Sequence, residues 1–137
     1  MILAFCVDNA GGLAFNHRRQ SRDRAVIHDL LQVAQGRQVV CLPYSAALFD
    51  AGAVTVTEAP DAVAAHAILF LENANPAAYI HRADELILYR WNRLYPSDLA
   101  LSGTPSQWGF RLQDTVDFAG NSHEKITRTR YVKKERA

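Results

Sequence analysis

The sequence predicts an α/β domain with three layers (α/β/α), in which a mixed central β-sheet lies between helices. Short apolar runs recur along the first two thirds of the chain, a segment with helical spacing separates the first two runs, and the last third alternates apolar and polar residues. Apolar runs are typical of strands buried on both faces, whereas alternation is typical of an antiparallel pair with one solvent-facing side. A chain of 137 residues suits one domain, expected to span residues 1–137.

The first two elements follow from an apolar run and from helix-start signals. Residues 1–7 predict a buried strand, which ends at the Asp-, Asn- and Gly-rich turn 8–12. Ser21 is expected to cap the first helix, with Asp23 in its first turn and Gly36 beyond its end. The helical spacing is carried by Val26, Ile27, Leu30, Leu31 and Ala34.

From residue 38 onwards the chain alternates short strands with helical turns. The predicted strands are 38–42, 53–57, 67–71 and 84–91, and the predicted helical segments are 45–49, 60–65 and 76–82. The alternating segments 107–116 and 124–133 then predict an antiparallel C-terminal hairpin. In all, we expect seven strands and three or four helices.

Composition excludes several classes of protein. The two cysteines, Cys6 and Cys41, lie inside apolar runs and are expected to be reduced core residues of a cytoplasmic protein. No apolar stretch approaches the roughly 20 residues that span a bilayer, and the opening segment lacks the basic region of a signal peptide, so we expect no membrane partner. The five histidines show no metal-ligand spacing, and no metal is predicted.

The charge is unevenly distributed although its sum is only +1. Residues 17–24 hold four arginines and one aspartate, and residues 121–137 hold six bases and two glutamates, whereas residues 50–85 carry a net charge of −5. Two basic segments that meet would attract phosphate or carboxylate groups. The alternative is a solvated surface with a charged tail.

Five segments, taken in order, resemble the dihydrofolate reductase family. They are Val7-Asp8 with Gly12 after the first strand, Ser21-Arg22-Asp23 at the start of the helix, 83–88 (ADELIL), 95–98 (YPSD) and the closing hairpin 108–131. Within that hairpin, Asn121-Ser122-His123 matches a triplet of some bacterial members. The resemblance covers nearly the whole chain and implies a shortened, divergent form of that family's topology, with the hairpin beside the active-site loop.

Departures from the family fall on its cofactor site. At the position of the family's phosphate-binding Gly-Arg motif the chain has 42–45 (LPYS), with neither Gly nor Arg, and at the position of its consecutive glycines the chain has 72–75 (ENAN). About one strand-helix unit is also missing between Phe49 and Val54. A side chain at a position where glycine would let the pyrophosphate approach the backbone blocks the binding of NADPH. The carboxylate of Glu72 would also repel the phosphate groups of that cofactor. We therefore expect no NADPH cofactor.

The resemblance also implies which residues surround the cleft. Asp23 takes the position of the family's active-site carboxylate, where it would accept a hydrogen bond from a ring nitrogen or amide, and His17 and His123 would tune or transfer protons. Arg18 and Arg19 would hold an anionic group. The predicted catalytic residues are Asp23, His17 and His123, and the predicted ligand-binding residues are Asn16, Arg18, Arg19, Tyr44, Arg90, Trp91, Asn92 and Ser122.

Three interpretations of this set stay open. The first is a small-molecule-binding protein that takes an anionic heteroaromatic ligand, nucleotide or folate-like, without NADPH-dependent reduction. The second is an RNA-binding protein or ribonuclease in which His17 and His123 act as an acid–base pair. The third is structural, with the arginines paired to Asp8, Asp23, Asp117 and Glu124. A divergent reductase is a minor alternative, and the sequence predicts neither turnover nor oligomeric state.

Overall fold

The computed structural model describes residues 1–134, which form one α-helix, two sheets and four 3-10 helices. The helix α1 spans Arg24–Ala34. The strands are β1 (Ile2–Val7), β2 (Gly12–Phe15), β3 (Arg18–Arg19), β4 (Val39–Cys41), β5 (Thr55–Val56), β6 (Ile68–Leu71), β7 (Glu85–Arg90), β8 (Leu99–Ala100), β9 (Phe110–Phe118) and β10 (Ile126–Lys133). The 3-10 helices span Pro43–Leu48, Pro60–Ala62, Pro76–Ala78 and Ile80–Arg82.

The seven predicted strands form the large sheet, in the order β5-β4-β6-β1-β7-β10-β9. Strands β5, β4, β6, β1 and β7 are parallel to their neighbours, and β10 pairs antiparallel with both β7 and β9. The sheet is therefore mixed, with an antiparallel C-terminal hairpin, as the apolar and alternating segments predict. The α/β fold class is confirmed.

Side chains of β1 point alternately to the two faces of the sheet. On one face Ile2 and Ala4 pack with the α1 residues Val26, Leu30 and Ala34. The opposite face packs against 3-10 turns and the second sheet, through Leu13, Tyr79, Ile80, Leu99 and Leu101. Only one of the two outer layers therefore contains an α-helix among residues 1–134.

The helical prediction is wrong in two respects. Asp23, not Ser21, is the N-cap of α1: its backbone is extended, and its carboxylate accepts the N–H of Ala25 at 2.9 Å. The segments expected to supply further helices are 3-10 turns of three to six residues. Three of these turns begin at a proline, and segments this short close i→i+3 hydrogen bonds more readily than a full α-turn.

The second sheet, with strand order β3-β2-β8, lies in a region predicted as loop. Asn16 and His17 connect β2 to β3, and both have positive φ values, 54° and 62°. Two central residues with positive φ make the tight turn whose twist suits a two-residue hairpin. We call β2, this turn and β3 the 12–19 hairpin. No helix of residues 1–134 is long and apolar enough to span a bilayer.

Candidate functional site

A cleft of about 630 Å³ opens between the start of α1 and the 3-10 helix 43–48, and we call it the α1 cleft. Its lining combines apolar and aromatic groups (Cys6, Val26, Ile27, Ala47, Leu48, Phe70 and Trp91) with polar groups (Ser21, Arg22, Asp23, Arg24, Asp50, Glu72, Asn121 and Ser122). This volume lies within the usual range for small-molecule sites. The cleft brings together the carboxyl end of β6, the N-terminus of α1 and the turn between β9 and β10.

Asp23 joins the N-terminus of α1 to the turn 119–125 between β9 and β10. Its side chain is fully buried, and its oxygens accept the backbone N–H groups of Asn121 at 2.8 Å, Ser122 at 2.8 Å and His123 at 3.2 Å, in addition to that of Ala25. The His123 imidazole Nδ1 lies 2.9 Å from the same carboxylate. Burial alone would raise the pKa of Asp23, but these hydrogen bonds outweigh burial and hold the pKa well below its ordinary value.

This geometry differs from the expected role of Asp23. Asp23 borders the cleft, but its carboxylate is buried and its hydrogen bonds go to the chain's own backbone and to an imidazole, so it presents no free oxygen to a ring nitrogen. Asp23 fixes the turn that carries Asn121, Ser122 and His123 against the helix.

His123 is enclosed by three further side chains. Its Nε2 lies 2.9 Å from the Ser21 Oγ and 2.9 Å from the Tyr95 hydroxyl, and its ring stacks on Trp91 at 4.6 Å between centroids. An ionised carboxylate only accepts hydrogen bonds, so the Nδ1 facing Asp23 carries the proton, and Nε2 of the neutral ring is an acceptor. Ser21 and Tyr95 were absent from the predicted site. Both lie in segments that resemble the family, Ser21-Arg22-Asp23 and 95–98, but that resemblance assigns neither of them to the site.

Glu72 holds the 12–19 hairpin against the ends of β4 and β6. The Arg19 guanidinium donates to both Glu72 oxygens, at 2.7 and 2.9 Å, and the Ser45 hydroxyl donates to one of them at 2.7 Å. The Arg19 guanidinium also lies 4.4 Å from the centre of the Tyr44 ring. Two further contacts join the hairpin to this edge: the Arg19 N–H donates to the Tyr44 hydroxyl at 3.0 Å, and the Asn73 amide donates to the His17 carbonyl at 2.9 Å.

Asp8 anchors the other end of the loop. Its oxygens accept the N–H groups of Ala10 at 2.8 Å, Gly12 at 2.7 Å and Tyr95 at 3.2 Å, and the Gln20 side-chain amide at 2.9 Å. Burial opposes ionisation, but these donors outweigh it and lower the pKa of Asp8. The chain between Asp8 and Asp23 is thus held at both ends and at its middle.

The structure does not bring His17 to His123. His17 is exposed on the turn of the 12–19 hairpin, where its carbonyl contacts Asn73, whereas His123 is buried among the side chains described above. The turn between β9 and β10, which was expected beside Arg18 and Arg19, instead contacts Asp23 through Asn121 and Ser122.

Arg90 and Asn92 lie away from the α1 cleft. The Arg90 guanidinium donates to the Tyr131 hydroxyl at 2.8 Å and lines a separate cavity of about 590 Å³ with Leu88, Leu101 and Pro105. The Asn92 amide donates to the carbonyl of Lys125, just before β10, and to the hydroxyl of Thr127 within β10. Arg18 and Asn16 are exposed beside Tyr95 and Pro96, on a shallow cavity of about 530 Å³.

The arginines of the C-terminal strand are paired with carboxylates. Arg128 donates to both oxygens of Asp29, at 2.8 and 2.9 Å, and Arg130 contacts Glu85 at 2.8 Å. These pairs remove two of the bases expected to join a basic patch, and they are not the pairs expected from the structural interpretation. Glu135 and Arg136 of the predicted basic tail lie outside the described residues. No cluster of three or more His, Cys, Asp or Glu side chains within 1–134 is placed to hold a metal ion.

The fold is similar to that of a dihydrofolate reductase from Enterococcus faecalis solved in complex with NADP(H) and RAB-propyl. The match covers 98% of this chain and 97% of that chain, with a TM-score of 0.63 and 12% sequence identity. No family model matches the sequence, and no curated protein matches it either. The predicted resemblance is confirmed as a divergent dihydrofolate-reductase-like fold, and this likeness shows the fold alone.

Proposed function

We propose that the protein binds an anionic heteroaromatic small molecule, of the nucleotide or folate-like class, in the α1 cleft, without NADPH-dependent reduction. The observation that carries the proposal is the contrast between the two sides of Glu72. On one side the 12–19 hairpin covers the ends of β4 and β6, and on the other the α1 cleft stays open.

The lining of the cleft supports the ligand class. Ile27 and Leu48 offer partly exposed apolar surface to a flat ring, and the buried rings of Phe70 and Trp91 lie behind them. Arg22 and Arg24 are exposed on the rim, and neither guanidinium forms an ion pair with any residue of 1–134. Free guanidinium groups beside an apolar wall suit a ring that carries phosphate or carboxylate. The anion-holding role expected of Arg18 and Arg19 therefore passes to Arg22 and Arg24.

Glu72 supports recognition of the ring itself. A carboxylate offers about four acceptor positions, and Arg19 and Ser45 fill three of them. Glu72 also lines the α1 cleft, so its remaining position is available to a ring N–H or amino group. In this proposal Glu72 replaces Asp23 as the carboxylate that contacts the ligand.

The residues at the implied cofactor positions do not fit NADPH. Ser45 is buried and donates its hydroxyl to Glu72, and Tyr44 and Asn73 are hydrogen-bonded to the 12–19 hairpin. A dinucleotide phosphate there would meet the Glu72 carboxylate and would have to displace the hairpin. This supports a ligand that occupies the α1 cleft alone.

The ribonuclease alternative loses its acid–base pair. His123 is buried beside Asp23, Ser21, Tyr95 and Trp91, whereas His17 is exposed on the turn of the 12–19 hairpin, so the two imidazoles do not face one site. An acid and a base that share one scissile phosphate must both be within hydrogen-bond reach of it. RNA binding without cleavage is retained as an outcome of the test below.

Calorimetric titration of the purified protein with folic acid, with a purine nucleoside monophosphate and with NADPH tests the proposal. We expect one of the first two to bind with a dissociation constant near 1 μM or tighter, which corresponds to about 8 kcal/mol, and NADPH not to bind. The Arg22→Ala/Arg24→Ala variant should lose affinity about tenfold or more. Arg111→Ala, which removes an exposed arginine of β9 outside the cleft, is the matched control and should bind normally.

The other outcomes separate the alternatives. Binding of NADPH with a micromolar dissociation constant would favour the alternative that the protein is a divergent reductase. Binding of a short single-stranded RNA, with an affinity that falls steeply with salt, would favour the nucleic-acid interpretation. Absence of binding by folic acid and nucleotide at millimolar concentration would overturn the proposal.

A further inference from the structure

We propose that Ser21 is a nucleophile, activated by His123 and positioned for acyl transfer in the α1 cleft. This activity goes beyond ligand binding, and it rests on the proposed function only in using the same cleft. The inference starts from a chain of three side chains, Ser21, His123 and Asp23, joined by two hydrogen-bond contacts of 2.9 Å.

The geometry meets the requirements for a nucleophile, a general base and an orienting acid. The Ser21 Oγ lies 2.9 Å from His123 Nε2, within the reach needed for proton transfer. The opposite ring nitrogen, Nδ1, lies 2.9 Å from the Asp23 carboxylate, which fixes the tautomer with a free lone pair on Nε2. Such an arrangement is recognised by its geometry and roles and not by residue order or fold.

The three side chains differ in their access to a substrate. Asp23 and His123 are buried, with 0% and 3% of their side chains exposed, whereas Ser21 is half-buried and lines the α1 cleft. The base is thus shielded from bulk solvent and is reached through the Ser21 side, and the hydroxyl lies where a substrate would bind. Trp91 stacks on the imidazole and fixes its plane, at an interplanar angle of 23°. Asp23 and Trp91 are positioning residues, because they act through His123.

Ester hydrolysis is the step that these groups can carry out. The Ser21 Oγ attacks the ester carbonyl carbon while its proton passes to His123 Nε2, and a tetrahedral adduct forms. The bond from that carbon to the alkoxy oxygen then breaks, and the departing alcohol takes the proton from Nε2. Water attacks the acyl-Ser21 ester in the same way, gives its proton to Nε2, and releases the carboxylic acid as Ser21 recovers its proton.

The surrounding charges indicate the substrate class. Ser21 is followed by Arg22 and precedes Arg24 by three positions, and all three residues line the cleft. Cations beside the nucleophile favour an ester with a carboxylate or phosphate elsewhere in the molecule, and they favour the negative charge that develops on the carbonyl oxygen. We therefore infer an anionic carboxylic ester as the substrate.

The Tyr95 hydroxyl provides a further test of the nucleophile, because it also lies 2.9 Å from His123 Nε2. Two hydroxyls compete for one lone pair, so Tyr95 lowers the share of molecules in which Ser21 is paired with the base. Removing the Tyr95 hydroxyl should make Ser21 more reactive. A Ser21 that served only as a hydrogen-bond partner of a structural histidine would show no reactivity for this change to increase.

Labelling with diisopropyl fluorophosphate, followed by intact-mass measurement and peptide mapping, tests the inference on the full chain. The Ser21 oxygen displaces fluoride at phosphorus, and we expect one adduct, located on Ser21. His123→Gln should slow labelling about 100-fold or more, the usual contribution of a general base, and Tyr95→Phe should accelerate it. Ser102→Ala, which removes an exposed hydroxyl outside the cleft, is the control and should label at the original rate.

The outcomes distinguish this inference from the proposed function. No adduct on Ser21, or an equal rate in folded His123→Gln protein, overturns the nucleophile, whatever the aromatic ligands do. An adduct on Ser21 that neither folic acid nor nucleotide protects supports the nucleophile and counts against the proposed ligand class. Circular dichroism of each variant separates loss of reactivity from loss of folding, and p-nitrophenyl acetate provides an independent burst of p-nitrophenol in the native protein and not in Ser21→Ala.

Discussion

Asp23 and His123 are 100 positions apart in the sequence, and their side chains lie 2.9 Å from each other. The same carboxylate accepts the backbone N–H groups of Asn121 and Ser122, so one buried side chain joins the first turn of α1 to the turn 119–125. This connection places the turn that carries His123 beside Ser21, at the edge of the α1 cleft. The integrity of the site therefore depends on the ionisation of Asp23.

The stability of the protein should depend on pH through Asp23. Its pKa is lower in the folded protein than in the unfolded chain, so the carboxylate stabilises the fold above the unfolded value of about 4, and that stabilisation is lost as the pH falls through the folded value. We expect the free energy of unfolding to fall as the pH is lowered below about 5. Asp23→Asn should lose about 3 kcal/mol at pH 7 and show a flatter pH profile, measured by denaturant titration.

Asp114→Asn is the matched control for that experiment. Asp114 is exposed on β9 and forms no ion pair within residues 1–134, so its removal should change neither stability nor slope. Equal slopes in the Asp23 variant and the native protein would contradict the role given to Asp23.

Gly120→Ala should disrupt the same turn through its volume alone. A Cβ at Gly120 would lie 2.6 Å from the His123 carbonyl oxygen and 2.7 Å from the Asp23 carboxylate, and the first of these neighbours is backbone. The turn 119–125 must therefore move away from α1. We expect about 2 kcal/mol of destabilisation and a change in the fluorescence of Trp91, which stacks on His123. Gly52→Ala is not a suitable control, because the positive φ of Gly52 would strain an alanine whatever the space around it. Ala119→Gly is used instead, since it changes chain flexibility in the same turn without adding volume.

The pair formed by Arg19 and Glu72 should show strong non-additivity. The Glu72 side chain is only 6% exposed, so Arg19→Met leaves a buried carboxylate without its cation and should cost about 3 kcal/mol. Arg19→Met/Glu72→Met removes both charges and should recover most of that loss. Denaturant titration of the four proteins in the cycle measures the coupling. A double variant that loses the sum of the single losses would show that the pair does not hold the 12–19 hairpin.

The two cysteines should react slowly in the folded protein. Burial, followed by the nearby charge of Glu72, raises the pKa of Cys41 to about 11 and raises that of Cys6 well above its ordinary value. At pH 8 only about one Cys41 thiol in a thousand is then the reactive thiolate. Iodoacetamide labelling followed by mass spectrometry should be at least about 100-fold slower in native protein than in urea. Cys6 lines the α1 cleft, so a bound ligand should slow it further and leave Cys41 unchanged.

The large sheet was predictable because burial leaves a strong sequence signal. The runs MILAFCV and AILFL are buried on both faces, and they match β1 and β6 closely. Strands β2, β3 and β8 form the second sheet in a region predicted as loop, and tertiary contacts stabilise them more than local pattern does. Asn16 and His17 adopt a turn usually marked by glycine, so the 12–19 hairpin carried no recognisable turn signature.

The grouping of three candidate residues could be predicted from the sequence, but the side-chain pairings around them could not. The family resemblance placed Asp23, Trp91 and Ser122 at one cleft, and the structure has all three in its lining. It did not indicate that Arg19 would contact Glu72, 53 positions away, or that Ser21 would contact His123, 102 positions away. Pairings over such distances depend on side-chain packing in three dimensions, which neither periodicity nor motif order encodes.

The position of β10 inside the sheet has a consequence for the order in which the protein assembles. β10 is the last strand of the described chain, yet it lies between β7 and β9, and β9 has no other partner in the large sheet. During synthesis on the ribosome, β9 has no partner in the large sheet until β10 has been made and has paired with β7. The turn that carries His123 connects these two strands. In a nascent chain that lacks β10, the Ser21 hydroxyl therefore has no contact with the His123 imidazole. The pairing of Ser21 with His123 therefore forms only after β10 has been synthesised and has paired with β7.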